Sequence, residues 1–310
     1  MKVITGLGDE RFLILFLLVL IVGVDFRKGF LLIQIVVITG LITELTKQTF
    51  ELPRPWFLDD TLLTFNNKFI EVERFNSIGA GGFFEMLPNY FIEKYRLLKP
   101  DSYGFPSGHT STALVLWGSL IIMFRKRGIK FLLLLIILIP LSRMYLARHF
   151  LADLLGGYII GVLFLGIFYF VIYRDSKLDS FLLSPNMNFS PDLKNALILL
   201  YLLIIPVLIS LFLRTEFIRI SGYWFGVNIV FILLSRKKYP PENKKISIRI
   251  IKILITLSVL LIVGVIANQL LLINNSSVLL FISGSMVTMI GLYVSYRLID
   301  GVKLFKKDSG

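Results

Sequence analysis

The sequence predicts an all-α fold, a polytopic bundle of about nine transmembrane helices, and three observations carry that expectation. The chain is 56% hydrophobic over 310 residues, with a mean hydropathy of +0.80. Its apolar residues come in nearly continuous blocks, such as Phe131–Leu141, Tyr158–Tyr173 and Ala196–Leu213, several of which approach or exceed the length needed to cross about 30 Å of hydrocarbon. A membrane β-barrel would instead alternate apolar and polar residues in short segments, so helices are the expected spanning elements.

Taken in order, Met1 to Glu10 contains Gly6 and Gly8 and no long apolar run, and reads as a short interfacial segment. Asp9, Glu10 and Arg11 precede the first apolar run and no small-residue cleavage site follows it, so no cleavable signal is expected. The first span is Phe12–Val24, followed by the polar turn Asp25-Phe26-Arg27-Lys28, and the second is Gly29 to about Thr46. Pro53 and Pro55 then force the chain out of helix. Trp56 to Ser107 is the longest polar region. It holds amphipathic pieces at Leu62–Phe75 and Phe83–Leu98 around a Gly79-Ala80-Gly81-Gly82 hinge, pieces suited to the membrane interface and to covering a site.

The third span is His109–Phe124, stopping at Arg125-Lys126-Arg127, and the fourth is Ile129 to about Tyr145. The fifth, His149–Tyr173, carries Gly157 and Gly161 at a spacing that lets helices approach closely. Four more runs follow: Ala196–Leu213, Phe217–Leu234, Ile253–Ile273 and Val278–Tyr296, with no internal repeat. The polar stretch from Ser176 to Lys194, with Pro185 and Pro191, marks an expected boundary between a core at residues 1–175 and an additional four-helix module at 176–310. Lone amides in that module, Asn228, Asn268 and Gln269, are expected to tie helices together.

Charge sets the expected orientation. The net charge is +13, which in a membrane protein points to cytoplasmic loops and anionic lipid headgroups and not to nucleic acid. Alternate loops collect 20 of the 33 basic residues on one side. The positive-inside rule makes that side cytoplasmic, with the N-terminus outside and the C-terminus inside. Three polar clusters then fall at the outer surface: Lys47 with Arg54, Ser107 with His109, and Arg143 with His149.

The chemistry of these clusters can be read residue by residue. In a helix running from His149, Asp153 would stand four residues on and share its face. A carboxylate there accepts the proton of one imidazole nitrogen and leaves the other as a lone-pair donor. Beside the positive charges of Arg143 and Arg148, such an imidazole suits attack on phosphorus in a phosphate ester. The plainer alternative is a polar interfacial turn between two membrane helices. The chain has no cysteine, which removes thiolate catalysis and cysteine metal sites.

Lys47-x6-Arg54-Pro55, Pro106-Ser107-Gly108-His109 and Ser142-Arg143-x5-His149-x3-Asp153 together resemble, in order and spacing, the three-part signature of the type 2 phosphatidic acid phosphatase superfamily, the integral membrane lipid phosphate phosphatases. The two histidines of the chain, His109 and His149, both fall on the histidine positions of that signature. The resemblance covers about Gly6 to Tyr173 and says nothing of Ser176 onward. It departs in one respect, since the family has a six-helix core and only five full spans precede the boundary.

The resemblance implies a site in which His149 is the nucleophile, Asp153 supports it and His109 protonates the leaving oxygen and activates the later water. Lys47, Arg54, Ser107, Gly108 and Arg143 would bind phosphate. The residue types agree: arginine donates paired hydrogen bonds to phosphate, and a helix N-terminus with Gly108 permits close approach of an anion. No metal or other cofactor is expected, because the three blocks lack carboxylates at ligand spacing. The expected partners are a phospholipid or isoprenoid phosphate and membrane lipids, with self-association through the C-terminal helices. Candidate substrates are undecaprenyl diphosphate, phosphatidic acid, phosphatidylglycerophosphate, a sphingoid phosphate and the lipid A 1-phosphate. The expected location is a bacterial cytoplasmic membrane with the site facing outward. A lipid phosphotransferase using the same pocket stays open, as does a non-enzymatic transporter, although few charges lie inside the spans.

Overall fold

The computed structural model describes residues 1–58, 87–98, 100, 102–124, 127–174, 193–212, 215–235, 245–273 and 276–301. The amphipathic piece Leu62–Phe75, the Gly79–Gly82 hinge and most of the 176–194 boundary lie outside the described residues, as do the loop positions Asn67, Lys126, Lys238 and Asn275. Among the described residues there is helix and no strand.

The chain divides by packing into two compact units, one of residues 1–15 and 34–176 and one of residues 16–33 and 177–310. The division by packing therefore groups Phe16–Ile33 with the C-terminal residues, whereas the composition break along the chain divides it at 175/176. Five helical stretches are long and apolar enough to cross a membrane: Phe26–Phe50, Leu151–Phe170, Phe217–Ser235, Ile246–Leu272 and Ser277–Ile299. Phe12–Gly23, Gly108–Phe124 and Asn195–Leu211 are apolar but shorter. Nine runs were expected to span; five of the described helices have the length to do so without tilt or extension.

The first unit opens with α1 (Lys2–Gly6) and the start of α2 (Glu10–Gly23). It takes the later part of α3 (Phe26–Phe50), the single turn α4 (Pro55–Leu58), and α5 (Asn89–Leu97). Then come α6 (Gly108–Phe124), α7 (Leu132–Tyr145) and α8 (Leu151–Ile167), whose end widens into a π-helical turn over Phe168–Tyr173. Helix α6 is the centre of this unit, packing on α7 and on α8. Glycines set the α6–α8 approach: a Cβ on Gly157 would meet the Ser107 carbonyl at 2.6 Å and Thr110 Cβ at 2.8 Å, and one on Gly161 would meet Leu114 at 2.8 Å. Any side chain there would push the two backbones apart. At the end of α3, Glu51 turns left-handed at φ 50° while its N–H donates to the Lys47 carbonyl at 2.8 Å.

In the second unit, Asp25 caps the start of α3, its Oδ1 accepting from the Arg27 and Lys28 amides at 3.0 and 3.2 Å. The unit continues with α9 (Leu193–Leu199), a π-helical turn over Leu200–Ile204, α10 (Ile205–Phe212), α11 (Thr215–Ser235), α12 (Ile246–Ile273) and α13 (Ser277–Gly301). Its densest contact is α11 on α13, where Gly222 and Gly226 face the α13 backbone and Thr288 Oγ1 donates to the Tyr223 carbonyl at 3.0 Å. The Phe30 and Phe231 rings stack with centroids 3.7 Å apart. Of the three lone amides, only Asn228 ties helices: it is fully buried and donates to the Leu202 carbonyl at 2.8 Å, whereas Asn268 and Gln269 are exposed. They sit on a face of α12 that carries Ile262, Val265, Ile266 and Leu270, all exposed.

Candidate active site

The site in the first unit is built from four helix ends and two connecting loops. Lys47 comes from the last turn of α3 and is buried, donating to Glu44 Oε2 at 2.9 Å. Its ammonium lies over the start of α6, where a Cβ on Gly108 would stand 3.8 Å from Nζ. Glu44 was not singled out in the sequence; the acid–x–x–base spacing on one helix face was the available signal.

Arg54 leaves helix geometry after Pro53 and is held from three sides. Its Nε donates to the Ser102 carbonyl at 3.3 Å, NH2 to Ser102 Oγ at 2.7 Å and NH1 to the Arg148 carbonyl at 3.4 Å. Of its five N–H donors, three are thus committed and two have no partner among the described residues and can serve a ligand. An aromatic cluster of Phe57, Tyr95 and Tyr103, flanked by Leu87 and Phe91, packs beside this loop. The Tyr95 hydroxyl donates to the same Ser102 carbonyl at 3.3 Å, and burial pushes its pKa up to about 12, so it stays a donor. Burial lowers the Arg54 pKa from its ordinary value, the mark of a guanidinium held out of water, and an anion beside it would relieve that strain. Helix α5 thus acts here through Tyr95, which shares the Ser102 carbonyl with Arg54.

Ser107, buried, caps α6, its carbonyl accepting from the Ser111 amide at 3.2 Å. A helix N-terminus offers its free backbone amides to an anion. The Ser107 amide is instead taken by the Asp153 carbonyl at 2.8 Å, which pins α6 to α8, and the Gly108 and His109 amides remain for a ligand. Below them Thr43 Oγ1 and Ser111 Oγ share a hydrogen bond of 2.8 Å between α3 and α6.

The turn between α7 and α8 carries Arg143, Arg148 and His149. Ala147 adopts a left-handed conformation at φ 51°, and the Arg148 amide donates to the Arg143 carbonyl at 2.9 Å. Helix α8 begins at Leu151 and not at His149, so the pairing of His149 with Asp153 does not come from helical stacking. It comes from capping: Asp153 is the third residue of α8 and its Oδ2 reaches back to the Phe150 amide at 2.9 Å and to His149 Nδ1 at 3.2 Å. His149 and Asp153 are both buried. With Nδ1–H donating to the carboxylate, Nε2 is the nitrogen left with a lone pair. Arg54, Arg143, Lys47 and His109 all lie near enough to act electrostatically on this ring.

His109, on the first turn of α6, has Nε2 3.2 Å from Asp9 Oδ1, and Arg143 NH1 donates to Thr5 Oγ1 at 3.0 Å. The N-terminal segment therefore reaches two of the residues at the site, which its brevity and polarity did not reveal in the sequence. Ser107 Oγ and Arg143 Nε are buried without a hydrogen-bond partner among the described residues. Buried donors of this kind are rare in folded proteins unless a ligand or water completes them. Together with Lys47 and Arg54 they form a cationic, donor-rich cluster beside a histidine lone pair, residue types that can hold a tetrahedral oxyanion and attack it.

Residues 28–177 match a family model described as PAP2 superfamily, and all three motif blocks lie within that stretch. The match begins later than the resemblance traced from Gly6 and leaves Thr5 and Asp9 outside it. No curated protein and no solved structure matches the chain.

Proposed function

Since the chain belongs to the PAP2 superfamily through residues 28–177, a family of phosphatases with a membrane core, we propose that it hydrolyses a phosphomonoester or diphosphate lipid headgroup through a phosphohistidine intermediate. The observation that carries this reading is the pairing of His149 Nδ1 with Asp153 at 3.2 Å beside the unpartnered donors Ser107 Oγ and Arg143 Nε.

In the proposed reaction the phosphate sits among Lys47, Arg54, Arg143, Ser107 Oγ and the amides that open α6. His149 Nε2 attacks in line with the leaving oxygen, and Asp153 stabilises the imidazolium as the N–P bond forms. His109 gives its proton to the departing oxygen, then takes one from the water that cleaves the N–P bond. Arginine at two of the three cationic positions favours a planar, paired grip on phosphate oxygens over a point charge. The charge distribution of the loops supports a site at the outer membrane face, and the membrane proposed is a bacterial cytoplasmic membrane.

The test is phosphate release by the purified protein from a panel of monophosphate and diphosphate lipids. Release with at least one of them, inhibition by vanadate and survival of activity in chelator are the expected results. Loss in chelator with recovery on adding magnesium would overturn the metal-free route. Recovery of the phosphoryl group on an added lipid alcohol, with none in water, would make the protein a phosphotransferase. Sidedness is read by cysteines introduced into this cysteine-free chain. Those at Asn67 and Asn275 are expected to react with an impermeant reagent from outside and those at Lys126 and Lys238 not; the reverse pattern would move the site to the cytoplasmic face.

A further inference from the structure

Two histidines face the site, and the Nδ1 of one is held by Asp153, a carboxylate of the third motif block. The other is held as well, by a residue that no block contains. His109 Nε2 lies 3.2 Å from Asp9 Oδ1, and the neighbouring Gly8 packs against the same edge of the ring, where a Cβ would stand 2.9 Å from His109 Cδ2. The Cδ2–Nε2 edge thus faces the N-terminal segment, and Nδ1 is the nitrogen available to a substrate oxygen.

The segment is fixed where it can do this. Helix α1 packs on α7, the Gly8 amide donates to the Thr5 carbonyl at 2.9 Å, and the Asp9 carbonyl accepts from Leu13 at 2.9 Å as α2 begins. Thr5, buried, takes the Arg143 guanidinium at 3.0 Å. Asp9 itself is 59% exposed at its side chain. An exposed pair of that kind adds little to folding, so stability does not explain why a carboxylate is set beside a cluster of cations.

We propose that Asp9 is a positioning residue for the reaction: its carboxylate holds Nε2–H of His109, so that Nδ1 carries the proton delivered to the leaving oxygen. When the bond from phosphorus to that oxygen breaks, the Nδ1 proton passes to it and His109 becomes neutral, still donating Nε2–H to Asp9. In the second step water attacks the phosphohistidine, its proton goes to Nδ1, and the N–P bond breaks, which restores the starting state. Lys47 and Arg143 also act electrostatically on His109, and the negative charge of Asp9 counters theirs, which favours the protonated ring the first step needs. The segment carrying Thr5 and Asp9 is then a fourth polar block of the site, outside the 28–177 match.

This inference rests on the phosphatase reading, and the test separates the two. Full-length wild type, Asp9→Asn and Asp9→Glu are compared on phosphatidic acid, whose alkoxide leaving group needs a proton, and on p-nitrophenyl phosphate, whose phenolate does not. Asp9→Asn is expected to lower kcat on phosphatidic acid by about ten- to a hundredfold with KM nearly unchanged, and to lower it on the aryl ester by about threefold at most. Asp9→Glu is expected to recover most of the lost rate. Equal losses on the two substrates, or no loss on either, would overturn the role of Asp9 while leaving the phosphatase reading intact. Where another lipid of the panel is the substrate, it takes the place of phosphatidic acid in the comparison, and a wild-type protein that releases phosphate from none of them would overturn both readings.

Discussion

The two units both hold polar groups inside apolar helices, and they differ in how far those groups reach. In the second unit the buried hydroxyls mostly turn back on their own helices, although Thr288 Oγ1 also reaches the Tyr223 carbonyl on α11. Ser221 donates to the Phe217 carbonyl at 2.6 Å, Ser235 to Ile232 at 2.8 Å, Thr256 to Lys252 at 2.9 Å and Ser283 to Leu280 at 3.0 Å. Each bond closes within one helical turn and asks nothing of the rest of the fold. In the first unit Thr39, Thr43 and Ser142 also bond back within their own helices, but the polar groups of the site reach across sequence. Arg54 meets Ser102 and the Arg148 carbonyl, Arg143 meets Thr5, and His109 meets Asp9, while Ser107 Oγ, Thr110 Oγ1 and Arg143 Nε have no partner among the described residues. Local satisfaction makes a helix inert in hydrocarbon. Long-range and incomplete satisfaction is costly, and is kept where a ligand completes it.

The largest expected effect falls on the histidine that the first unit holds by capping. His149→Ala is expected to lower turnover by at least about a thousandfold and to abolish phosphoenzyme formation, with thermal unfolding in detergent little changed. Near wild-type phosphate release from the alanine variant would remove the distinction between the units as far as chemistry is concerned.

Glycine contacts sharpen the comparison at an intermediate scale. Gly157→Val puts a side chain against the Ser107 carbonyl and Thr110, and Gly226→Val puts one against Ser285 and Thr288. Each is expected to destabilise by about 1–3 kcal/mol. Only Gly157→Val is expected also to reduce the turnover of the folded protein, because it displaces the residue that caps α6. A fall in turnover of the folded Gly226→Val protein would show that the second unit shapes the reaction.

The smallest effects test the second unit alone. Asn228→Ala removes a buried donor from the Leu202 carbonyl and is expected to cost about 1–2 kcal/mol, whereas Asn268→Ala, at an exposed position, stays within about 0.5 kcal/mol. Equal effects from both in thermal unfolding would refute the assignment of Asn228 as the amide that ties helices.

What the sequence determined by itself is what depends on composition and short spacing. Apolar runs demanded helices, because hydrocarbon leaves no other partner for the backbone. Three ordered blocks bring out Lys47, Arg54, Ser107, His109, Arg143, His149 and Asp153 as candidate site residues. The tertiary structure decided how those groups are held, because that depends on which backbone atoms come near each other. His149 meets Asp153 through a helix cap at Phe150 and not through a helical face. The Ser107 amide is spent on Asp153, and Gly157 makes room for that contact between α6 and α8. Asn228, Asn268 and Gln269 look alike in sequence, and only burial, set by which face of each helix is covered, separates the first from the others. Asp9 and Glu44 are single carboxylates in ordinary local contexts. Only the fold brings Asp9 across a hundred residues of chain to His109, since a hydrogen bond between distant residues leaves no periodicity or spacing to be read.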